Sequence, residues 1–186
     1  MSKLILSEKF FLLLIDKKTN RLYLHEAMKK AKLGIAGGLL ITLMKQEKIY
    51  FDGKNIVLQD PTYAEDPLLN KVLSLITSSN FDKSIEFWLN QILFEVKNLP
   101  DIIISRLENK RYISISTKKV RFGEKRYYHL IKPHIPDNLK IRISKYLTGE
   151  RRPSFLYRGL ICLMDGCGMS RIMEEHFSQK YSQQLL

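Results

Sequence analysis

The chain has 186 residues, 45% of them apolar and 27% charged, an ordinary balance for one folded soluble domain with a sizeable core. Thirty-one Lys and Arg stand against nineteen Asp and Glu, a net charge of +12, which suits a polyanionic partner: nucleic acid, an anionic membrane or an acidic protein. Two cysteines, Cys162 and Cys167, exclude a disulfide framework and point to a reducing, cytoplasmic setting, and the longest uncharged stretch, Leu33 to Met44, is shorter than the roughly 18–20 residues of a spanning helix.

Along the chain, Ser7 is a candidate N-cap for a helix running to about Ile15, with Glu8 suited to the positive end of its dipole. The apolar run Phe10–Ile15 is short for a signal-peptide core, Glu8 precedes it, and no small-residue cleavage site follows. Asp16 to Asn20 reads as a turn, Leu22 to Leu24 as a short strand, and His25 to Lys32 as a basic, exposed helix or loop. Leu39, Leu40, Leu43 and Met44 then recur at helical spacing, behind Gly34, Gly37 and Gly38, which allow another backbone to come close. The GIAGG stretch is not a phosphate loop, because no strand precedes it and no Gly-Lys-Ser/Thr follows. Ile49–Phe51 and Asn55–Leu58 flank Asp52-Gly53, a hairpin signal.

Asp66-Pro67 starts the next helix, with Leu68, Leu69, Val72, Leu73 and Ile76 on its apolar face and Ser78 to Asn80 at its end. Ser84 to about Asn98 is an amphipathic helix carrying Trp88, read as a packing residue. The helix–wing pattern then returns: shifted by 64 positions, Leu39, Leu40, Leu43, Ile49 and Phe51 fall on Ile103, Ile104, Leu107, Ile113 and Ile115. The second wing, Arg111 to Leu130, is longer and more basic. A helix from about Asn138 to Leu147 follows, then a last buried helix from Ser154 to Met164. The fold class is mainly α, a compact single-domain helical bundle with short β-hairpins in winged-helix-like units.

Between Arg106 and Arg152 there are fourteen basic residues against four acidic ones, so this quarter of the chain holds most of the surplus charge. Within it, Lys118 to Tyr128 alternates basic and aromatic residues around a turn at Gly123. Two uses fit. The wing could neutralise phosphates along a nucleic-acid groove, or its tip could set Val120 and Phe122 among lipid headgroups while the flanking cations face anionic lipid. Each cation near such a surface contributes about 1 kcal/mol, so charge alone gives weak, reversible attachment. His25, His129, His134, His176 and the two cysteines lack zinc-site spacing, and no nucleophile elbow, P-loop or carboxylate pair stands out. Neither an enzyme, a metal site nor a cofactor is expected.

The stretches LSEKFFLLLIDKKTNRL, GIAGGLLITLMKQEKIYF, DPTYAEDPLLNKVLSLI and IIISRLENKRYISI resemble, in this order, Golgi phosphoprotein 3-like proteins. The most specific part is Asp60-Pro-Thr…Asp66-Pro-Leu-Leu69, similar to the family's D-P-T-x-x-x-D-P-L-L core. The resemblance runs from about Leu4 to Met173. It implies a domain over residues 1–176 with a polar tail at 177–186, and a stand-alone, bacterial-type member without the long N-terminal arm of eukaryotic ones. Those members bind phosphatidylinositol 4-phosphate and link Golgi membranes to coat and glycosyltransferase tails. Their pocket uses a tryptophan before the Gly-rich helix, an arginine within it and two arginines before the second helix–wing unit. The matching positions fall near Ala27 and at Ala36, Lys97 and Pro100.

The resulting expectation is a non-enzymatic, cytoplasmic, peripherally membrane-associated adaptor. Lys97, Lys29, Lys30, Lys32 and Arg106 are the expected headgroup-binding residues. Lys118, Lys119, Val120, Arg121, Phe122, Lys125 and Arg126 form the expected hairpin for membrane contact or self-association. The expected partners are anionic membrane lipid, a second copy through the hairpin, or an acidic protein. Nucleic-acid binding through the paired helix–wing units is the alternative, although neither helix shows an outward face rich in Arg, Asn or Gln.

Overall fold

A computed structural model describes residues 4–22, 28–121 and 123–169, with side chains from residue 30 in the second segment. Tyr23 and Leu24 of the expected short strand, the stretch His25 to Ala27, the Lys29 side chain, Phe122 and the polar tail lie outside the described residues. Among the described residues there are seven helices and three small antiparallel sheets. In chain order they are α1 (Leu6–Leu13), β1 (Ile15–Asp16), β2 (Arg21–Leu22), α2 (Met28–Lys45), β3 (Ile49–Phe51), β4 (Asn55–Leu58), α3 (Pro67–Thr77), β5 (Lys83–Ser84) and α4 (Ile85–Glu95). They continue with α5 (Leu99–Asn109), β6 (Ile113–Val120), β7 (Gly123–Leu130), α6 (His134–Leu147) and α7 (Phe155–Gly166). The chain is mainly α with short hairpins.

The core is organised around α2, which packs against α1, α3, α4, α5 and α7. A helix surrounded in this way must be apolar on every side. Ile35, Ala36, Leu39, Leu40 and Leu43 are at most 2% exposed. Its glycines sit where neighbours press closest. A Cβ on Gly38 would come within 2.7 Å of Ser7 Oγ and 2.9 Å of the Ser7 backbone nitrogen. The Gly-rich segment is therefore an internal packing surface.

Ser7 is not the cap of α1. The helix begins at Leu6, and the Ser7 hydroxyl donates to the Ile35 carbonyl at 2.7 Å, fastening α1 to α2. Glu8 closes the first turn by accepting the Ile5 N–H at 2.9 Å. Its carboxylate is fully buried and also accepts from Arg106 Nε at 2.9 Å and Lys110 Nζ at 2.7 Å. Arg106 turns its other nitrogen to Asp66, whose second oxygen caps α3 through the Leu68 and Leu69 N–H groups. Burial favours a neutral guanidine, but the Asp66 and Glu8 carboxylates outweigh it and hold the Arg106 pKa above its ordinary value. One ion network thus joins α1, α3 and α5.

The 64-position repeat is visible in the backbone. Glu47 ends α2 in the left-handed region at φ 58°, and Arg111 ends α5 at φ 55°. The Lys48 N–H donates to Leu43 O at 3.1 Å, and the Tyr112 N–H to Leu107 O at 2.9 Å, at equivalent positions. Each helix then leads into a hairpin. The first is short: the Asp52 carboxylate accepts the Lys54 and Asn55 N–H groups, Gly53 takes φ 102°, and β5 joins as a third strand. The second pairs Ile113 with Leu130 through to Val120 with Gly123 and stays two-stranded.

Candidate functional site

Beside the second unit lies a half-open cavity of about 340 Å³, walled by α1, β2, α2, the α4–α5 link, α5 and β7. Its shape depends on a break that periodicity did not reveal. The helix expected to run to Asn98 stops at Glu95, and Asn98 adopts φ 56°. Asparagine tolerates that left-handed conformation better than most residues. The helix break there presents Leu99, Pro100 and Asp101 to the cavity.

β7 supplies the opposite wall with Arg126 and Tyr128. Tyr128 anchors the hairpin base: its N–H donates to Asn20 O at 2.7 Å, and its ring meets Phe11 edge-on at 5.9 Å. Burial pushes the Tyr128 phenol above its ordinary pKa. Arg126 Nη1 contacts Asp101 Oδ1 at 2.5 Å, so the hairpin is latched onto α5 at the cavity rim. The Asp101 carboxylate raises the Arg126 pKa above its ordinary value.

Beyond this latch the hairpin stands out into solvent, with Thr117 to Lys119, Arg121 and Gly123 to Arg126 all exposed. Strand alternation divides its cations between two faces. Arg126 and Thr117 share the cavity face with buried Tyr128 and Ile113. Lys118 and Lys125 stand directly opposite each other on the other face. Neither of these lysines has an ion pair among the described residues.

The structure groups some of the expected site residues and separates others. Lys32 lines the cavity and Arg126 stands across from it. Lys30 is exposed two residues earlier on α2, more than half a turn away from Lys32, and its carbonyl accepts Cys167 Sγ–H at 3.2 Å. Lys97 is exposed in the α4–α5 link beside Asn98 but does not line the cavity. Arg106 lies in the Glu8–Asp66 network and is not among the lining residues. Ala36 is fully buried in the α2 core, whereas Pro100 forms part of the wall. The importance of Asp101 and Asn98 comes from the break between α4 and α5, which neither residue type signals by itself. Trp88 is buried against Phe87, as a packing tryptophan. Cys167 is buried too, and burial raises its thiol pKa.

Among the described residues, no three His, Cys, Asp or Glu side chains are grouped to hold a metal ion, and no helix is long and apolar enough to cross a membrane. The family model of Golgi phosphoprotein 3 (GPP34) matches residues 6–183. No curated protein matches the chain.

Proposed function

This chain belongs to the Golgi phosphoprotein 3 (GPP34) family, and on that premise we propose that it is a non-catalytic, cytoplasmic adaptor that rests peripherally on anionic lipid surfaces. Lys32 supplies positive charge at the cavity, and Lys30 and Lys97 add exposed charge on the segments beside it. Lys118, Lys119, Arg121 and Lys125 extend that charge along the hairpin, beside the half-buried Val120. Arginine recognises phosphate as a fork and lysine as a point charge, and Arg126 at the cavity is already paired with Asp101, so attraction of a phosphoinositide such as phosphatidylinositol 4-phosphate would rest on the point charges of the lysines. The open edges of β6 and β7 offer a second copy a place to pair.

The observation that carries this reading is the Lys118–Lys125 cross-strand pair. Like charges directly opposite one another destabilise a hairpin. An anionic surface relieves that repulsion on contact, and each cation near it contributes about 1 kcal/mol. The nucleic-acid alternative is less well supported, because α2 is enclosed by five helices and cannot enter a groove.

Flotation with liposomes tests the proposal. Recovery with vesicles containing phosphatidylserine or phosphatidylinositol 4-phosphate should far exceed recovery with pure phosphatidylcholine and should fall as salt rises. Equal recovery on neutral and anionic vesicles would overturn it.

A further inference from the structure

The cavity lining is more apolar than polar. Phe11, Leu14, Ile35, Val96, Leu99 and Ile104 line it, and each is at most 5% exposed. Among the described lining residues, Asn98 and the Tyr128 hydroxyl are the uncharged polar side-chain groups, and Lys32, Asp101 and Arg126 are the charged ones. Arg126 is engaged by Asp101, while Lys32 has no ion pair among the described residues. The site therefore offers one uncompensated positive charge above an apolar chamber. A multiply charged, hydroxyl-rich headgroup would leave its polar atoms against hydrocarbon, which is costly. A ligand with one negative charge and a hydrocarbon tail matches both parts.

We propose that this cavity takes the hydrocarbon chain of a singly anionic amphiphile, with the head at Lys32 and the tail among Phe11, Ile35, Leu99 and Ile104. The Asp101–Arg126 latch closes one side of the entrance and limits the charge the head can carry. A cavity of about 150 Å³ holds benzene, so 340 Å³ accommodates on the order of a dozen carbons. The tail can come from a free fatty acid or from an acyl chain of an anionic lipid. This deepens the lipid-surface reading and rests on it for the source of the ligand.

The test is calorimetric titration of the full chain with saturated fatty acids of six to sixteen carbons, each below its critical micelle concentration. Affinity should rise about tenfold for every two carbons and level off near twelve, as the chamber fills. Lys32→Gln should weaken every member by a similar factor, and Leu22→Trp, which crowds the wall, should move the plateau to shorter chains. Soluble inositol phosphate without a tail should bind far more weakly than a ten-carbon acid. A short-chain diacyl phosphatidic acid serves as competitor: if it outbinds the fatty acid of equal chain length the source is a membrane lipid, and the reverse ranking identifies a free acid. Affinity independent of chain length, or inositol phosphate binding as well as the ten-carbon acid, would overturn the proposal. Flotation on anionic vesicles in parallel keeps the two readings apart. Flotation without chain-length dependence removes the amphiphile pocket alone, and a plateau without flotation removes the membrane reading alone.

Discussion

In the first helix–hairpin unit α2 packs against five helices, and its hairpin is short and braced by a third strand; in the second, the hairpin is long, basic and two-stranded, and it contributes its own wall to the cavity that α2 and α5 both border. Equivalent positions differ in keeping with this. Gly34, Gly37 and Gly38 of α2 correspond to Asn98, Asp101 and Ile102. Where the first unit needs close approach by α1 and α7, the second places a left-handed residue at a helix break, a rim carboxylate and a half-buried side chain. The hairpins also close differently. Lys48 of the first unit binds Asp60 at 2.5 Å and Thr62 Oγ1 at 2.6 Å, whereas at the corresponding joint of the second, Lys132 lies over the Tyr112 ring at 4.4 Å. One backbone design thus carries a glycine-lined packing helix with a short braced hairpin in one copy and a long charged hairpin in the other.

The largest effect should come from the link that ties the second unit to α1. Glu8→Ala leaves Arg106 and Lys110 without their buried carboxylate, and loss of one partner of a buried pair costs about 3–5 kcal/mol. Urea unfolding of the variant should show a loss of this size. Next, Gly38→Val should destabilise by about 1–3 kcal/mol because its Cβ strikes the Ser7 backbone, while the equivalent Ile102→Val should cost only about 0.5–1.5 kcal/mol. Similar losses at the two sites would show that the units are packed alike.

The charged hairpin should give a paired signature. Lys118→Gln with Lys125→Gln should weaken binding to anionic vesicles by about 10–30-fold, near 2 kcal/mol for two surface cations. The same double variant should unfold at slightly higher urea, because the cross-strand repulsion is gone. The first hairpin supplies the smallest effect. Hydrogen bonding from Lys48 and Thr62 lowers the Asp60 pKa to about 2. Its contribution to stability is therefore present above the unfolded carboxylate pKa, near 4, and is lost as pH falls through about 2. Carboxyl NMR titration should place the midpoint near 2 in the native chain and closer to 4 in Lys48→Met.

Much of this arrangement was legible from residue pattern alone. Asp52-Gly53, the Asp66-Pro67 cap and the 64-position shift each rest on short-range chemistry, and each has its counterpart in the backbone. Ser7 is not legible as a packing residue because its hydroxyl meets a distant helix instead of its own first turn. The helix expected from Asn138 begins at His134, since a proline such as Pro136 is tolerated in a first turn where no helical donor is required. β5, two residues long, is too short to carry a period. A dipole partner is all that Glu8 suggests locally, and its burial with Arg106 depends on a residue nearly a hundred positions away. The cavity was the least legible feature. Lys32 and Arg126 carry a charge signal, but the apolar wall comes from six parts of the chain that converge only on folding.

The central claim is that the second hairpin, and not the first, meets the lipid surface. The direct measurement is the fluorescence of an environment-sensitive dye on Glu124→Cys or on Lys54→Cys, each in a Cys162→Ser background, as vesicles containing phosphatidylserine are added. The account predicts a blue-shifted increase for the label at position 124 and little change at position 54. An increase at position 54 with none at position 124 would contradict it.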